Sequence, residues 1–83
     1  MKISLKTAGT LGQYLPPGSA RNNAQLDVAD GSSPIDVIVK LGMPPADSYL
    51  VTLNGSIVPT AKRSECKLRD GDQLSIMPPL KGG

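Results

Sequence analysis

The chain has no His, no Trp and no Phe, one Cys and two Tyr in 83 residues. Each scarcity closes off a class of chemistry. Without His the commonest general base is missing, and with it the Ser-His and Cys-His nucleophile pairs. One Cys and no His leave no ligand set for a structural zinc site, so no metal is expected. The lone thiol, Cys66, excludes an intramolecular disulfide framework and fits a reducing compartment, and a cytoplasmic protein is expected. Aromatic stacking platforms for nucleic acid are absent too. Net charge is only +2, from nine Lys/Arg against seven Asp/Glu, whereas a nucleic-acid surface wants a clustered basic face. No nucleic-acid partner is therefore expected. The densest basic run, Lys62, Arg63, Lys67 and Arg69, is broken by Glu65 and Asp70. It reads as a solvated loop surface, with one edge of a docking surface for an acidic partner as the sharper alternative. No apolar run approaches the ~20 residues of a membrane helix. The start, MKISLKTAG, lacks the apolar core of a signal peptide.

The core must be aliphatic, and it must be small, because a chain of this length buries only ~60–65% of its unfolded surface. One domain is expected. Eight Pro and nine Gly point to several short elements joined by turns. The glycines do not open a helix in a phosphate-binding pattern: GTLGQYLPPG lacks the spacing and the Lys-Ser/Thr of a P-loop.

Residues 2–6 alternate, with Ile3 and Leu5 on one face and Lys2, Ser4 and Lys6 on the other, as in a half-buried strand. Thr7 to Asn23 reads as a long mobile connection, tacked down by Tyr14 and Leu15. Ala24 to Ala29 alternates again, with Leu26 and Val28 inward, and can pair with the first strand as an antiparallel hairpin. Ser33 suits a helix N-cap, Pro34 the first helical position, and Asp36 the positive end of the helix dipole. Ile35, Ile38, Val39 and Leu41 recur at helical spacing before Gly42 stops the run. IDVIV is rich in β-branched residues and a poor helix former. A helix of about two turns is preferred on its punctuation, and a strand is the alternative.

Met43 to Asp47 reads as a linker and Tyr49 to Leu53 as a strand. Asn54-Gly55 is the strongest two-residue hairpin signal in the chain, returning through Ser56 to Pro59. Thr60 to Lys67 is irregular, with room for one helical turn, and Leu68 anchors it. Asp70-Gly71-Asp72 turns the chain by side-chain to backbone hydrogen bonds. Gln73 to Met77 is the last strand, with Leu74 and Ile76 inward and Ser75 and Met77 outward. Two hairpins flanking one helix predict an α+β fold: a mixed four- to five-stranded sheet packed on one main helix. If the first and last strands pair centrally in parallel, the helix-containing crossover satisfies the usual handedness rule and the arrangement is a β-grasp, or ubiquitin-like, fold. The expected division is a β-grasp domain over 1–77 and a flexible C-terminal Gly-Gly tail over 78–83. Cys66 reads as an inert thiol, with a reactive thiol near Lys62, Arg63, Lys67 and Arg69 as the sharper alternative.

The tail is the stretch that folding does not explain. Pro78 and Pro79 fix φ and favour an extended arm. Leu80 and Lys81 offer one apolar and one cationic handle. Gly82 and Gly83 have no side chains, so they can thread a narrow channel. The expectation is that Gly83 carries a free terminal carboxylate, which is a poor electrophile until a partner activates it.

Leu68-Arg69-Asp70-Gly71-Asp72, an alternating strand, and Met77-Pro78-Pro79-Leu80-Lys81-Gly82-Gly83 resemble the ending of the MoaD/ThiS sulfur-carrier family. Leu53-Asn54-Gly55 with Ile57-Val58 resembles that family's central hairpin, and Leu41-Gly42 ends a helix where its first helix ends. The resemblance implies a carrier, not an enzyme. An E1-like enzyme adenylates the Gly83 carboxylate, and a sulfur donor (a cysteine desulfurase or sulfide) converts it to a thiocarboxylate. The tail then enters an acceptor synthase, whose large subunit holds the catalytic residues. Gly83 and Gly82 are the implied reactive residues; Met77, Pro78, Pro79, Leu80 and Lys81 are the implied partner-binding residues. The chain itself binds no cofactor, since ATP and Mg are used by the activating enzyme. Molybdopterin is the first-choice pathway and thiamine the next, with cysteine and tungsten-cofactor routes open. The chain lacks the aromatic residues that many molybdopterin-type members carry on the first strand and before the Pro-Pro step. Near the tail it offers Met77 and Leu50 instead. A ubiquitin-like modifier joined to target lysines through the same Gly-Gly is the rival reading, and a β-grasp interaction domain without activation chemistry is a third.

Overall fold

A computed structural model describes residues 1–16, 19, 22–43 and 49–78. Of the expected linker, Met43 to Asp47, all but the buried Met43 lies outside the described residues, as does the expected tail, 78–83, beyond Pro78. Among the described residues, five strands and one α-helix run in the order β1 (Lys2–Thr7), β2 (Asn23–Asp27), α1 (Pro34–Lys40), β3 (Leu50–Leu53), β4 (Ser56–Ile57) and β5 (Gln73–Met77). They form one mixed sheet in the order β2-β1-β5-β3-β4. β1 and β5 pair in parallel at its centre, and every other pairing is antiparallel. This is the β-grasp layout expected from the two hairpins and the helix.

The strands obey their alternation. Ile3 and Leu5 of β1, Leu26 of β2, Val51 of β3, and Leu74 and Ile76 of β5 are buried. Leu11, Val28, Val37, Ile38, Met43, Tyr49, Val58 and Leu68 complete the core cluster with them, aliphatic but for Tyr49. Parallel pairing sets Leu5 beside Leu74 and Thr7 beside Ile76, so the two central strands contribute side chains in step.

The helix forms despite its β-branched composition because both ends are fixed. Ser33 Oγ accepts from the Asp36 amide at 3.3 Å, and Asp36 Oδ2 accepts from the Ser33 amide at 2.9 Å, closing a capping box. At the other end Gly42 adopts φ 75°. The Met43 amide reaches Ile38 O at 3.1 Å and the Gly42 amide reaches Val39 O at 3.0 Å, a Schellman closure that satisfies the last carbonyls. The buried stripe is not the expected one, however. Pro34, Val37 and Ile38 are buried and Leu41 is half-buried, while Ile35 is 37% and Val39 69% exposed. The stripe runs i, i+3, i+4, i+7 from Pro34 instead of starting at Ile35. In a run that is apolar on nearly every side, periodicity alone cannot phase the helix. The proline at the first position sets the phase by packing inward.

Two further expectations are corrected. The connection after β1 is not irregular throughout: Gly9–Tyr14 forms a 3-10 helix, with Leu11 buried beside the half-buried Tyr14 and Leu15. The basic run near residue 63 is not one solvated face. Arg63 is buried and donates from its guanidinium to Tyr49 O, pinning the chain just ahead of β3. Lys62, Lys67 and Arg69 stay exposed, and Lys62 pairs with Glu65 at 3.5 Å on the surface.

Candidate functional site

Everything that could present the tail is set by β5. Its inward side chains, Leu74 and Ile76, are fully buried, and its outward ones, Gln73, Ser75 and Met77, lie on the face away from the core. Met77 ends the strand and Pro78 follows, both half-buried. The other expected site residues, Pro79, Leu80, Lys81, Gly82 and Gly83, lie outside the described residues.

Register assembles an apolar patch around Met77. Leu50 of β3 lies opposite Met77, and Thr52 lies opposite Ser75. Thr52 in turn pairs with Ile57 of β4. Leu50 is 39% exposed and Ile57 67% exposed. Met77, Leu50 and Ile57 therefore share the outer face at the end of the sheet where the tail begins. The sequence marks Ile57 only as part of the hairpin, yet its place on this face is readable. A two-residue Asn-Gly loop fixes the register so that 53 faces 56 and 52 faces 57, and Thr52 points outward. The turn has the geometry this requires, with Asn54 at φ 51° and Gly55 at φ 86°.

The other half of the outer face is polar. Lys2 and Lys6 are exposed, and Ser4 accepts a hydrogen bond from Gln25 Nε2 at 3.1 Å. Ser4, Lys6, Asn23, Gln73 and Ser75 edge a shallow depression of about 310 Å³ floored by Leu5 and Leu74. One sheet face thus offers apolar contacts beside the tail and cationic and hydrogen-bonding groups farther along.

The far end of β5 is anchored by the expected acidic turn. Asp70 Oδ1 accepts from the Lys2 amide at 2.8 Å, and Asp72 Oδ2 accepts from the Arg69 amide at 2.8 Å. Asp72 Oδ1 also accepts from Asn54 Nδ2 at 3.1 Å, while Asn54 Oδ1 accepts from the Gln73 amide at 2.9 Å. These bonds tie the starts of β1 and β5 to the β3–β4 hairpin. Asp70 and Asp72 are structural groups, as their place on a glycine turn suggested. Cys66 is half-buried and packs against the core. Burial raises the Tyr49 phenol above its ordinary range, with the nearby Tyr14 adding to the shift. Among the described residues, no group of Cys, Asp and Glu is placed to hold a metal ion.

The ThiS family model matches residues 17–83. The chain belongs to the ThiS family. Its members are small carrier proteins, not enzymes, and the chain has the ubiquitin-like fold of these sulfur carriers. No curated protein matches it in sequence. Among solved structures it is similar to SAMP1 from Haloferax volcanii, with TM-score 0.71 and 18% identity over 100% of both chains. It is also similar to the thiamine biosynthesis protein ThiS from Geobacter metallireducens, with TM-score 0.67 and 17% identity over 100% of both. A third likeness is to a chain in the complex of subunits 1 and 2 of molybdopterin-converting factor from Helicobacter pylori 26695. That TM-score is 0.63, with 18% identity over 100% of both. At these identities the likeness establishes the shared fold. No helix among the described residues is long and apolar enough to cross a membrane.

Proposed function

We propose that the chain carries sulfur as a thiocarboxylate on Gly83, with residues 1–77 as the β-grasp body and 78–83 as the tail that is charged and discharged. The observation that carries this reading is the family match, which runs through the Gly82-Gly83 ending. It is supported by the way β5 holds Met77 in an apolar patch immediately before Pro78.

The chemistry needs a partner. An E1-like enzyme aligns ATP so that a Gly83 carboxylate oxygen attacks the α-phosphorus and pyrophosphate leaves. The resulting acyl-adenylate is an activated electrophile. Sulfide adds to the acyl carbon, AMP leaves, and a thiocarboxylate remains; a desulfurase persulfide instead leaves an acyl disulfide, and a second thiol must cleave its S–S bond, becoming a disulfide itself, to release the thiocarboxylate. ATP and magnesium belong to the activating enzyme. This chain contributes a terminus narrow enough to reach the reacting phosphate, and a face that identifies it: Met77, Leu50 and Ile57 first, then Pro78, Pro79, Leu80 and Lys81. In an acceptor synthase, molybdopterin precursor first and thiamine precursor second, the sulfur is delivered and Gly83 returns as carboxylate.

The modifier reading has one observation in its favour: the likeness to SAMP1, named in full small archaeal modifier protein 1. The same acyl-adenylate would then pass to a lysine amine on another protein. Incubating the chain with an E1-like enzyme from the same genome, ATP and sulfide separates the readings. Sulfur loading adds about 16 Da to the intact chain. Denaturing gels of cell extract, probed for this chain, show a single low-mass band for a carrier and a ladder of conjugates for a modifier.

A further inference from the structure

Asn54 precedes Gly55, an exposed pair at the tip of the β3–β4 hairpin. The chemistry of such a pair is intramolecular. The Gly55 nitrogen, giving its proton to a solvent base, attacks Asn54 Cγ. The new C–N bond closes a succinimide while the Cγ–Nδ2 bond breaks and ammonia leaves. Water then opens the ring to leave either a carboxylate at position 54 or an isoaspartyl linkage. A glycine is the least obstructing residue on the attacking side because it has no Cβ.

The structure places two restraints on this reaction. Both ends of the Asn54 amide are tied to the start of β5: Nδ2 donates to Asp72 Oδ1 at 3.1 Å, and Oδ1 accepts from the Gln73 amide at 2.9 Å. Bonds at opposite ends fix the plane of the amide, and turning its face toward an attacking nitrogen breaks them. Asp72 adds an electrostatic restraint. Attack puts negative charge on Oδ1; the Asp72 carboxylate on the Nδ2 side of the amide opposes that charge, while the Gln73 amide donating to Oδ1 favours it, so the stronger restraint is the fixed plane of the amide.

We propose that Asn54 is a modification site whose deamidation is gated by the clamp from Asp72 and Gln73. Any opening of the clamp exposes the pair to reaction, and the product cannot close it again. The new carboxylate has no donor for Asp72 and meets it as a like charge. The isoaspartyl form inserts a methylene into the backbone of this two-residue turn, whose register depends on its length. Either product loosens the tip of the β3–β4 hairpin from the start of β5, while the backbone ladder from Leu50 to Leu53 still pairs β3 with β5. Deamidation therefore acts as a one-way record of how often this corner of the sheet has opened.

The test compares the whole chain held natively at mildly alkaline pH with the same chain in denaturant. The peptide containing residues 54 and 55 is followed for a gain of about 1 Da. Native protein should react more slowly by about tenfold or more, the factor expected when a charge-assisted hydrogen bond must first be broken. D72N keeps the shape of the side chain but removes the charge, and it leaves one acceptor oxygen for the two donors, the Arg69 amide and Asn54 Nδ2. With its fold confirmed by circular dichroism, D72N should react several-fold faster than wild type. Equal rates in native and denatured wild type would overturn the gate, whether or not the variant folds. A folded D72N that reacts no faster than wild type would remove Asp72 from it.

Discussion

Neighbouring residues on β5 should separate holding the fold from presenting the tail. Ile76 is fully buried between Thr7 of β1 and Val51 of β3. Met77 is half-buried on the opposite face, beside Leu50. Ile76→Val removes one methylene from the core and should cost about 0.5–1.5 kcal/mol, and Ile76→Ala about 2–5 kcal/mol. A domain of this length has only about 4–12 kcal/mol to lose. In a chain of this size each kcal/mol lowers the thermal midpoint by about 4–8 °C, so Ile76→Val should melt about 2–12 °C lower. Met77→Ala leaves no cavity and should cost less than about 1 kcal/mol. The two variants then reverse order in a partner assay. Charging by an activating enzyme at limiting carrier should be unchanged for Ile76→Val at a temperature where it is folded. It should fall about fivefold or more for Met77→Ala, the effect of truncating a central apolar contact. Thermal melts and initial charging rates are the two readouts. If Met77→Ala melted as low as Ile76→Val, or charged as well as wild type, the division of β5 into two faces with two jobs would be wrong.

Three other outcomes follow from the same structure. Arg63→Leu should lose about 1–3 kcal/mol in urea denaturation, since it leaves the buried Tyr49 carbonyl without its guanidinium donor, whereas Lys67→Leu on the exposed surface should change little. Burial raises the Tyr49 phenol in the folded chain, while an unfolded tyrosine ionises near pH 10. The unfolded state therefore loses a proton that the folded state keeps, and stability should fall as pH climbs above about 10, with no Tyr49 contribution below it. Tyr49→Phe should flatten that slope in alkaline denaturation curves. Gly82→Leu should leave the melting curve in place and abolish charging; full charging would contradict the threading argument.

Much of the fold was legible because its signals were local and redundant. β5 runs over the residues that its alternation marked, and the Asn54-Gly55 turn fixed the hairpin register. The helix was identified from Ser33, Pro34 and Gly42 against the propensity of IDVIV, and those ends proved decisive. What failed was phase: Ile35, Val37, Ile38 and Val39 are all apolar, and only tertiary packing selects which of them turn inward. Arg63 was misread for a related reason. A buried guanidinium looks like any surface cation in sequence, because its acceptor is the Tyr49 carbonyl, a backbone group fourteen residues away that no side-chain pattern reveals. The candidate site was legible at Met77 and Leu50 and incomplete at Ile57, whose place depends on counting across the turn. The assignment of Gly83 came from the ending of the chain together with its resemblance to the carrier family, and the family match spans the same residues.

The most direct test of sulfur carriage places the new atom. After charging with the activating enzyme, ATP and sulfide, the C-terminal peptide is isolated and fragmented. A gain of about 16 Da confined to Gly83, discharged on addition of an acceptor synthase and its precursor, is the result the account predicts. A chain that forms the acyl-adenylate but never gains sulfur, and is found instead joined through Gly83 to lysines of other proteins, would contradict it.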